Sequence, residues 1–370
     1  MKPLRVLVCG SVLSQGIGGV RRHNAEILPR AARILERHGG ALTVLAGRAG
    51  IAFELPRSIA VLPSDVPPRP VLARAWRESA ALEACLRSAR SQGSSFDVVH
   101  TAHLPAPRGL SAPFTLLLHD LKSVLAGDAS SLRRAVGRRV LRDAAERAAR
   151  IACVSRTLAT ELERYAPNAA GRVGVVPNGC DHLPLVPRVP DAAGFLLCVG
   201  RIEPRKNVEL LVRALALAPD LPEVHLAGDA QREHLERILA LARELGVDGR
   251  IRVLGVCDDA RLAQSYGSCA CVVLPSLREG FDIPLAEALR AGAPIAASDL
   301  DVHREVVAGR AELFDPRSPQ DCVRAIRAAL AAAARAADPA GPRPLGATTW
   351  DEAALALVAL WRSAASVPST

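Results

Sequence analysis

Twelve short apolar runs rich in Val, Ile and Leu punctuate the chain, each giving way to a loop or a stretch with helical periodicity. In the first half they are RVLVCG (5–10), ALTVLAG (41–47), DVVH (97–100), FTLLLHD (114–120), IACVS (151–155) and VGVVPNG (173–179). In the second half they are FLLCVG (195–200), EVHLAGD (223–229), IRVLG (251–255), ACVVLPS (270–276), APIAASD (293–299) and AELFD (311–315). Apolar strands that alternate with helices belong in parallel sheets covered on both faces. Two sets of six predict an α/β chain with two doubly wound parallel sheets, and 370 residues is too long for one core. The expected boundaries are 1–180 for an N-terminal domain, 181–194 for a linker and 195–345 for a C-terminal domain. The linker, DHLPLVPRVPDAAG, has three prolines and no periodic pattern. Residues 346–370 carry a last helix, TTWDEAALALVALWRSAA (348–365), behind the proline cluster DPAGPRP (338–344).

Composition narrows the functional classes. Hydrophobic residues at 49% with 23% charged residues describe a globular protein. No apolar run approaches the roughly 18 residues of a membrane span. MKPLRVLVCG enters a strand directly, without a signal-peptide pattern. Nine cysteines, an odd number without CxxC pairs, fit a reduced, cytoplasmic protein. Charge is divided unevenly. Residues 1–180 hold 26 Lys and Arg against 13 Asp and Glu, while residues 181–370 hold 21 against 25. The basic half attracts anionic surfaces or phosphate-bearing acceptors. Its densest stretch, SLRRAVGRRVLRDAAERAAR (131–150), is predicted as one helix with seven arginines. Such a helix is either solvated or interfacial, the latter implying peripheral contact with the inner face of an anionic membrane. Nucleic acid is not an expected partner, because 3% aromatic residues leave few stacking platforms and no binding motif is present.

Two loops at strand ends carry the chemistry. In PSLREGFDIPLAEALRAGAP (275–294) a buried run ends in the polar loop REGFD, which leads into a helix beginning at Pro284. Proline suits the first helical position, where its missing N–H costs nothing. Glu279 lies in the loop and Glu287 one turn inside the helix, eight positions on. The amides of Gly280, Phe281, Asp282 and Ile283 stand where α/β folds gather anions. The second loop, CVGRIEPRKN (198–207), places Arg201, Arg205 and Lys206 ahead of a helix over 207–217. Arg offers a planar fork to phosphate oxygens and Lys a point charge, a combination suited to a diphosphate. Lysine occurs at only three positions, 2, 122 and 206. Near the N-terminus, GSVLSQGIGGVRRH brings Gly16, Gly18 and Gly19 together, but GIGGVR lacks the last glycine of a dinucleotide fingerprint. Three histidines follow strands: His100, His103 and His119. They are zinc ligands by type, without a carboxylate or Cys at a usual spacing, and hydrogen-bonded strand caps otherwise.

GRIEPRKN followed by LPSLREGFDIPLAEALRAGAPIAASD resembles the C-terminal half of the retaining GT-B glycosyltransferases of the "group 1" family. That family carries Gly-Arg-x4-Lys-Asn and then Glu-x7-Glu. The resemblance implies two Rossmann-like domains facing a central cleft, with the second holding most of a nucleotide diphosphate sugar and the last helix crossing back to the first. It further implies that Glu279 holds sugar hydroxyls, Glu287 the ribose, and Arg201 and Lys206 the diphosphate. Gly18 and Gly19 match the loop that approaches the donor phosphates, and His119 matches a histidine near the transferred sugar. No cofactor and no metal are implied. Asp299-Leu300-Asp301 has the form of a metal-binding DxD, but it follows APIAAS where the family has a Ser-Asp turn, so Asp299 is expected as a turn or helix cap. LREGFDIPLAE with SDLDVHREV looks most like mannosyltransferases, favouring GDP-mannose over UDP-sugars, although Asp301 and His303 replace a proline and an aromatic common in relatives. The expected acceptor is a hydroxyl, on a lipid-linked or envelope glycan. The alternatives are a soluble natural-product acceptor, a phosphorylase or epimerase of the same architecture, and a non-enzymatic two-domain binding protein.

Overall fold

The computed structural model describes residues 2–14, 18–121, 131–189, 194–333 and 345–367. The chain divides into two units, Met1–Pro177 with Trp350–Thr370, and Asn178–Thr349. The first unit runs β1 (Arg5–Gly10), α1 (Gly19–Glu36), β2 (Ala41–Ala46), β3 (Ala60–Pro63), α2 (Val71–Ser91), β4 (Val98–Thr101) and β5 (Phe114–Leu118). It continues with α3 (Ser131–Arg147), β6 (Arg150–Cys153), α4 (Arg156–Tyr165) and β7 (Val173–Val175). Its strands form one parallel sheet in the order β3-β2-β1-β4-β5-β6-β7. Six of the seven match the apolar runs of the sequence. The seventh, β3, escapes that reading because all four of its residues are exposed and it ends on a proline. Both features belong to an edge strand, where a missing N–H removes no ladder bond. The arginine-rich helix is also shorter than its sequence suggests: it stops at Arg147, and Arg150 already opens β6.

The second unit contains β8 (Leu196–Val199), α5 (Val208–Leu217), β9 (Val224–Ala227), α6 (Arg232–Glu244), β10 (Ile251–Gly255), α7 (Asp259–Ser268) and β11 (Cys271–Leu274). There follow α8 (Ile283–Arg290), β12 (Ile295–Ser298), α9 (Asp301–Val307), β13 (Glu312–Phe314) and α10 (Pro319–Ala333). All six strands are parallel, ordered β10-β9-β8-β11-β12-β13. The core is built where β8, β9 and β11 meet α5 and α10, around Leu196, Leu211, Leu215, Val273 and Ile326.

The last helix, α11 (Trp350–Ala365), belongs to the first unit. Its buried residues, Trp350, Ala353, Ala354, Leu357, Val358, Trp361 and Ala364, recur every three or four positions. That stripe shares a core with Ile27, Leu28, Ala31 and Ala32 of α1. Trp350 and Trp361 are fully buried, and the Trp361 ring meets His100 edge-on at 5.3 Å. The described part of the stretch expected as a linker, 181–189, is docked on the second unit. Arg188 donates to the carbonyls of Tyr266 and Cys269 at 3.1 and 2.7 Å, and the Val189 amide donates to Gly267 at 3.0 Å. Prolines deny this stretch a regular ladder, yet Arg188 and the Val189 amide find carbonyls of α7 and its end.

Candidate active site

In a doubly wound sheet, ligands gather beyond the carboxyl ends of the strands where the order reverses. In the second unit that point lies between β8 and β11, which pair directly while their successors run to opposite edges. GRIEPRKN follows β8 and SLREGFD follows β11, so the topology brings two loops some 75 positions apart in sequence to one place.

The first loop is shaped around its lysine. Gly200 has φ 136°, and a Cβ there would lie 3.0 Å from Lys206 Cε, so the lysine stem occupies the space of the missing side chain. Pro204–Lys206 form one 3-10 turn, and Asn207 closes it in the left-handed region at φ 53°. Asn tolerates that region better than most residues. Its Nδ2 donates to the carbonyls of Pro275 and Pro316 at 3.0 and 2.9 Å, tying the turn to the ends of β11 and β13. Lys206 is thereby buried with its ammonium between two carboxylates. Nζ donates to Asp282 Oδ1 at 3.0 Å and pairs with Glu279 Oε1 at 2.9 Å. Burial alone would lower the lysine pKa. Asp282 first and Glu279 second override it and hold the ammonium well above its ordinary value. Arg205 pairs with the other oxygen of Glu279 at 2.5 Å and with Glu203 at 2.9 Å. Its guanidinium also donates to the carbonyl of Arg278 at 2.9 Å.

The second loop ends at Asp282, which precedes α8 in the left-handed conformation at φ 70°. The helix starts at Ile283, one residue before Pro284. Gly280, Phe281, Asp282 and Ile283 are all buried. The Asp282 carboxyl would be raised by burial, but Lys206 and then His303 hold it well below the usual carboxylate range. Glu287, buried inside α8, faces a different group. Its Oε1 is 2.8 Å from His182 Nε2, and its Oε2 accepts from the Tyr266 hydroxyl at 2.7 Å. Burial and then Glu287 push the Tyr266 hydroxyl far above its usual pKa, so it stays a donor.

Of the residues singled out by sequence, Lys206, Glu279 and Asp282 therefore meet, while Arg201 stands apart. Arg201 is exposed and pairs with Asp229 at 3.5 Å. Asp299 is not a helix cap. Leu300 occupies the N-cap of α9 and no side chain caps that helix. Asp299 instead takes the guanidinium fork of Arg304 at 2.5 and 2.6 Å, five residues on. His182, Tyr266, Asn207 and His303 were missed as site residues. His182 in a proline-rich stretch carries no signal of its partner, whereas the Asn following the lysine was part of the motif itself.

The first unit holds the remaining candidates. Gly18 is the N-cap of α1 at φ 121°, a conformation that favours glycine, and Gly19 opens the helix; both are exposed. Gly16 lies outside the described residues. His119 follows β5, with Nε2 buried and without a hydrogen-bond partner and its ring edge-on to His23 at 4.7 Å. Burial, then His100, pushes its pKa down to about 4. His100 bonds Thr115 Oγ1 at 2.8 Å and is lowered to about 3, first by burial and then by His23 and His103. His103 turns to Glu78 at 2.9 Å, so the three histidines do not converge on one point: His100 bonds Thr115, His103 meets Glu78, and His119 packs on the His23 ring. Among the described residues, Cys9, Glu78 and His103 are the group whose ligand-type atoms come within 4.8 Å of one another. Glu78 there also accepts from Ser11.

Comparison with known proteins gives both halves a family. "Glycosyl transferases group 1" matches residues 186–339 and "Glycosyltransferase Family 4" matches residues 17–182. The serotype-specific mannosyltransferase WbdA of Escherichia coli is 33% identical over 204 residues, 50% of this chain and 25% of that protein. The chain thus spans about a quarter of the length of that relative. Among solved structures, sucrose-phosphate synthase from Thermosynechococcus elongatus matches with a TM-score of 0.75 at 20% identity, over 97% of this chain and 98% of that one. Anabaena HepE in complex with UDP matches with a TM-score of 0.65 at 19% identity, over 96% and 94%. These two share the GT-B fold with the present chain. With its sheets, its two strand-end loops and both of its halves matched, the chain has the GT-B fold, its second half similar to the glycosyl transferases group 1 family and its first half to Glycosyltransferase Family 4.

Proposed function

We propose that this chain is a retaining, metal-independent hexosyltransferase that moves a sugar, with mannose favoured, from a nucleotide diphosphate sugar to a hydroxyl acceptor. The observation that carries the reading is the convergence of Lys206 with Glu279 and Asp282 at the switch point of the second sheet. The leaving group is a nucleoside diphosphate, so the reaction is accelerated by stabilising charge that develops on phosphate. A fixed, buried ammonium is suited to that task because it needs no reorganisation as the bond breaks. Arg201, exposed on the same loop, adds a planar fork, and the resemblance assigns the amides at Gly18 and Gly19 to the donor phosphates. Glu279 orients the sugar through its hydroxyls, Glu287 meets the ribose, and His119, half-buried and uncharged near neutral pH, touches the sugar near C6. The leaving phosphate serves as base for the acceptor hydroxyl on the same face, which retains the anomeric configuration.

Mannose is favoured by the likeness to WbdA. A uridine donor is the second reading, favoured by the UDP complex of the similar HepE fold. The acceptor is read as a lipid-linked or envelope glycan presented at an anionic membrane face, on the strength of the basic first half. The test is incubation with labelled GDP-mannose and UDP-sugars, with and without EDTA. Slow release of sugar from one donor that survives EDTA is the expected result. Activity lost in EDTA and restored by Mn²⁺ would overturn the metal-free reading.

A further inference from the structure

His303, in the first turn of α9, is fully buried, and its two ring nitrogens face two acceptors. Nδ1 is 2.8 Å from the backbone carbonyl of Ser298, the last residue of β12. Nε2 is 3.2 Å from Oδ2 of Asp282, whose other oxygen accepts from Lys206. A carbonyl oxygen only accepts, so the first contact needs a proton on Nδ1. The second contact is an ion-pair distance and not an aligned hydrogen bond, Nε2 and Oδ2 both being buried without a hydrogen-bond partner. A bare lone pair on Nε2 would face the carboxylate there, so a proton on Nε2 is what that geometry calls for. A neutral imidazole has one proton and satisfies one contact, leaving two lone pairs opposed in a buried site. Moving the missing proton to Asp282 is opposed by the Lys206 ammonium 3.0 Å from its Oδ1.

The charges around the ring point the same way. Arg205 and Lys206 come from the turn after β8, with Glu203 just before them, and Glu279 and Asp282 come from the loop after β11. These five carry two positive and three negative charges. On the histidine's own side, Asp299 is paired with Arg304, and Asp301 opens α9 in an exposed position. One more positive charge beside Asp282 balances the buried group, where an uncompensated charge is expensive.

We infer that His303 is held as a buried imidazolium and is a positioning residue of the donor site, acting through Asp282 on Lys206. With Asp282 served from one side by His303, Lys206 gives it one N–H and stands as an ion pair 2.9 Å from Glu279 Oε1. An N–H not given to Asp282 then remains for an oxygen of the donor diphosphate. The positioning half of the inference rests on the donor-site reading above; the protonation half does not.

The two halves are tested separately on the full chain. Nitrogen-15 NMR of histidine-labelled protein, with the His303 signals assigned by their loss in His303→Gln, reads the ring directly. Both nitrogens are expected to carry protons at pH 7, and a ring with one unprotonated nitrogen at that pH would overturn the assignment. For positioning, the affinities of GDP and UDP are compared with those of guanosine and uridine in wild type, His303→Gln and His303→Phe. Diphosphate affinity should fall about tenfold or more, as expected for a lost hydrogen bond to a charged group, with nucleoside affinity unchanged. Equal weakening of nucleoside and nucleotide, or of neither, would overturn the positioning role. If His303→Phe does not fold, His303→Gln carries the comparison. If wild type binds no nucleotide, the donor reading and the positioning role fall together, and the ring measurement still decides the protonation state.

Discussion

At Lys206 a buried ammonium is kept by two carboxylates, Asp282 first and Glu279 second, whose attraction together outweighs burial. Removing one partner of such a set leaves an unpaired buried charge, typically a cost of about 3–5 kcal/mol. Lys206→Ala should therefore lower both thermal stability and diphosphate affinity. Arg201→Ala, at an exposed side chain, should weaken donor binding with little change in stability. Calorimetric unfolding beside nucleotide titration separates them, and equal stability losses would contradict the geometry. Glu279→Gln keeps the shape and removes the charge. It should lower turnover about 100-fold or more while nucleotide binding persists. Turnover within about threefold of wild type would reassign Glu279 to structure. Lys206 and Glu279 were legible in the sequence because each sits in a local motif that the family shares. The partnership of Lys206 with Asp282, 76 positions away, and of Asp282 with His303 was not, because only the sheet topology brings those loops together. Glu287 was legible as a residue, but the two donors that occupy its oxygens were not, since His182 lies 105 positions upstream.

Among the elements, the strands that read clearly from sequence are those buried on both faces, such as Leu196–Val199 and Cys271–Leu274. The strand Ala60–Pro63 was invisible because an edge position asks for no apolar run. The end of the helix at Arg147 was misread because no glycine or proline marks it, and Arg150 enters a strand whose guanidinium is anchored on Ser363 at 2.8 Å. Two strand ends carry a pH dependence. His100 and His119 are held neutral by burial, at about 3 and about 4, against 6.5 for an ordinary histidine. Above pH 6.5 both are neutral folded and unfolded, and no penalty exists. As pH falls below 6.5 the unfolded chain takes up protons that the folded unit refuses, so stability is lost until the folded values are reached. Each histidine contributes a slope of about 1.4 kcal/mol per pH unit in that window. Urea unfolding between pH 7 and 4 should show the decline, and His100→Gln should remove about half of the histidine slope. An unchanged slope in His100→Gln would contradict the assignment.

For the whole molecule, the chain leaves the first unit at Pro177 and returns at Trp350, so the first core is completed only by the last helix. Two sheets and the returning helix were anticipated from alternation and resemblance, while the docking of residues 181–189 on the second unit was not, because proline-rich sequence has no period to read. The charge division is a property of the molecule at this scale as well. Among the described residues no helix is long and apolar enough to cross a membrane. A basic first half, with Arg133, Arg138 and Arg139 exposed on one helix beside an exposed Leu132, suits an anionic lipid surface. Each basic residue near such a surface contributes about 1 kcal/mol, screened over roughly 8–10 Å in physiological salt. Sedimentation with anionic vesicles should be salt-sensitive and should be weakened by reversing Arg133, Arg134, Arg138 and Arg139 to Glu, with nucleotide binding unchanged. Equal partitioning of the two proteins at low salt would leave a soluble acceptor as the better reading.

The most direct measurement of the central claim is thermal unfolding of the full chain in the presence of GDP, UDP and their sugars. A ligand of the folded protein at 100 times its dissociation constant stabilises by about 2.7 kcal/mol. One nucleotide diphosphate and its sugar should raise the transition by that amount in wild type and by much less in Lys206→Ala. No response to any nucleotide, or an equal response in Lys206→Ala, would contradict the account.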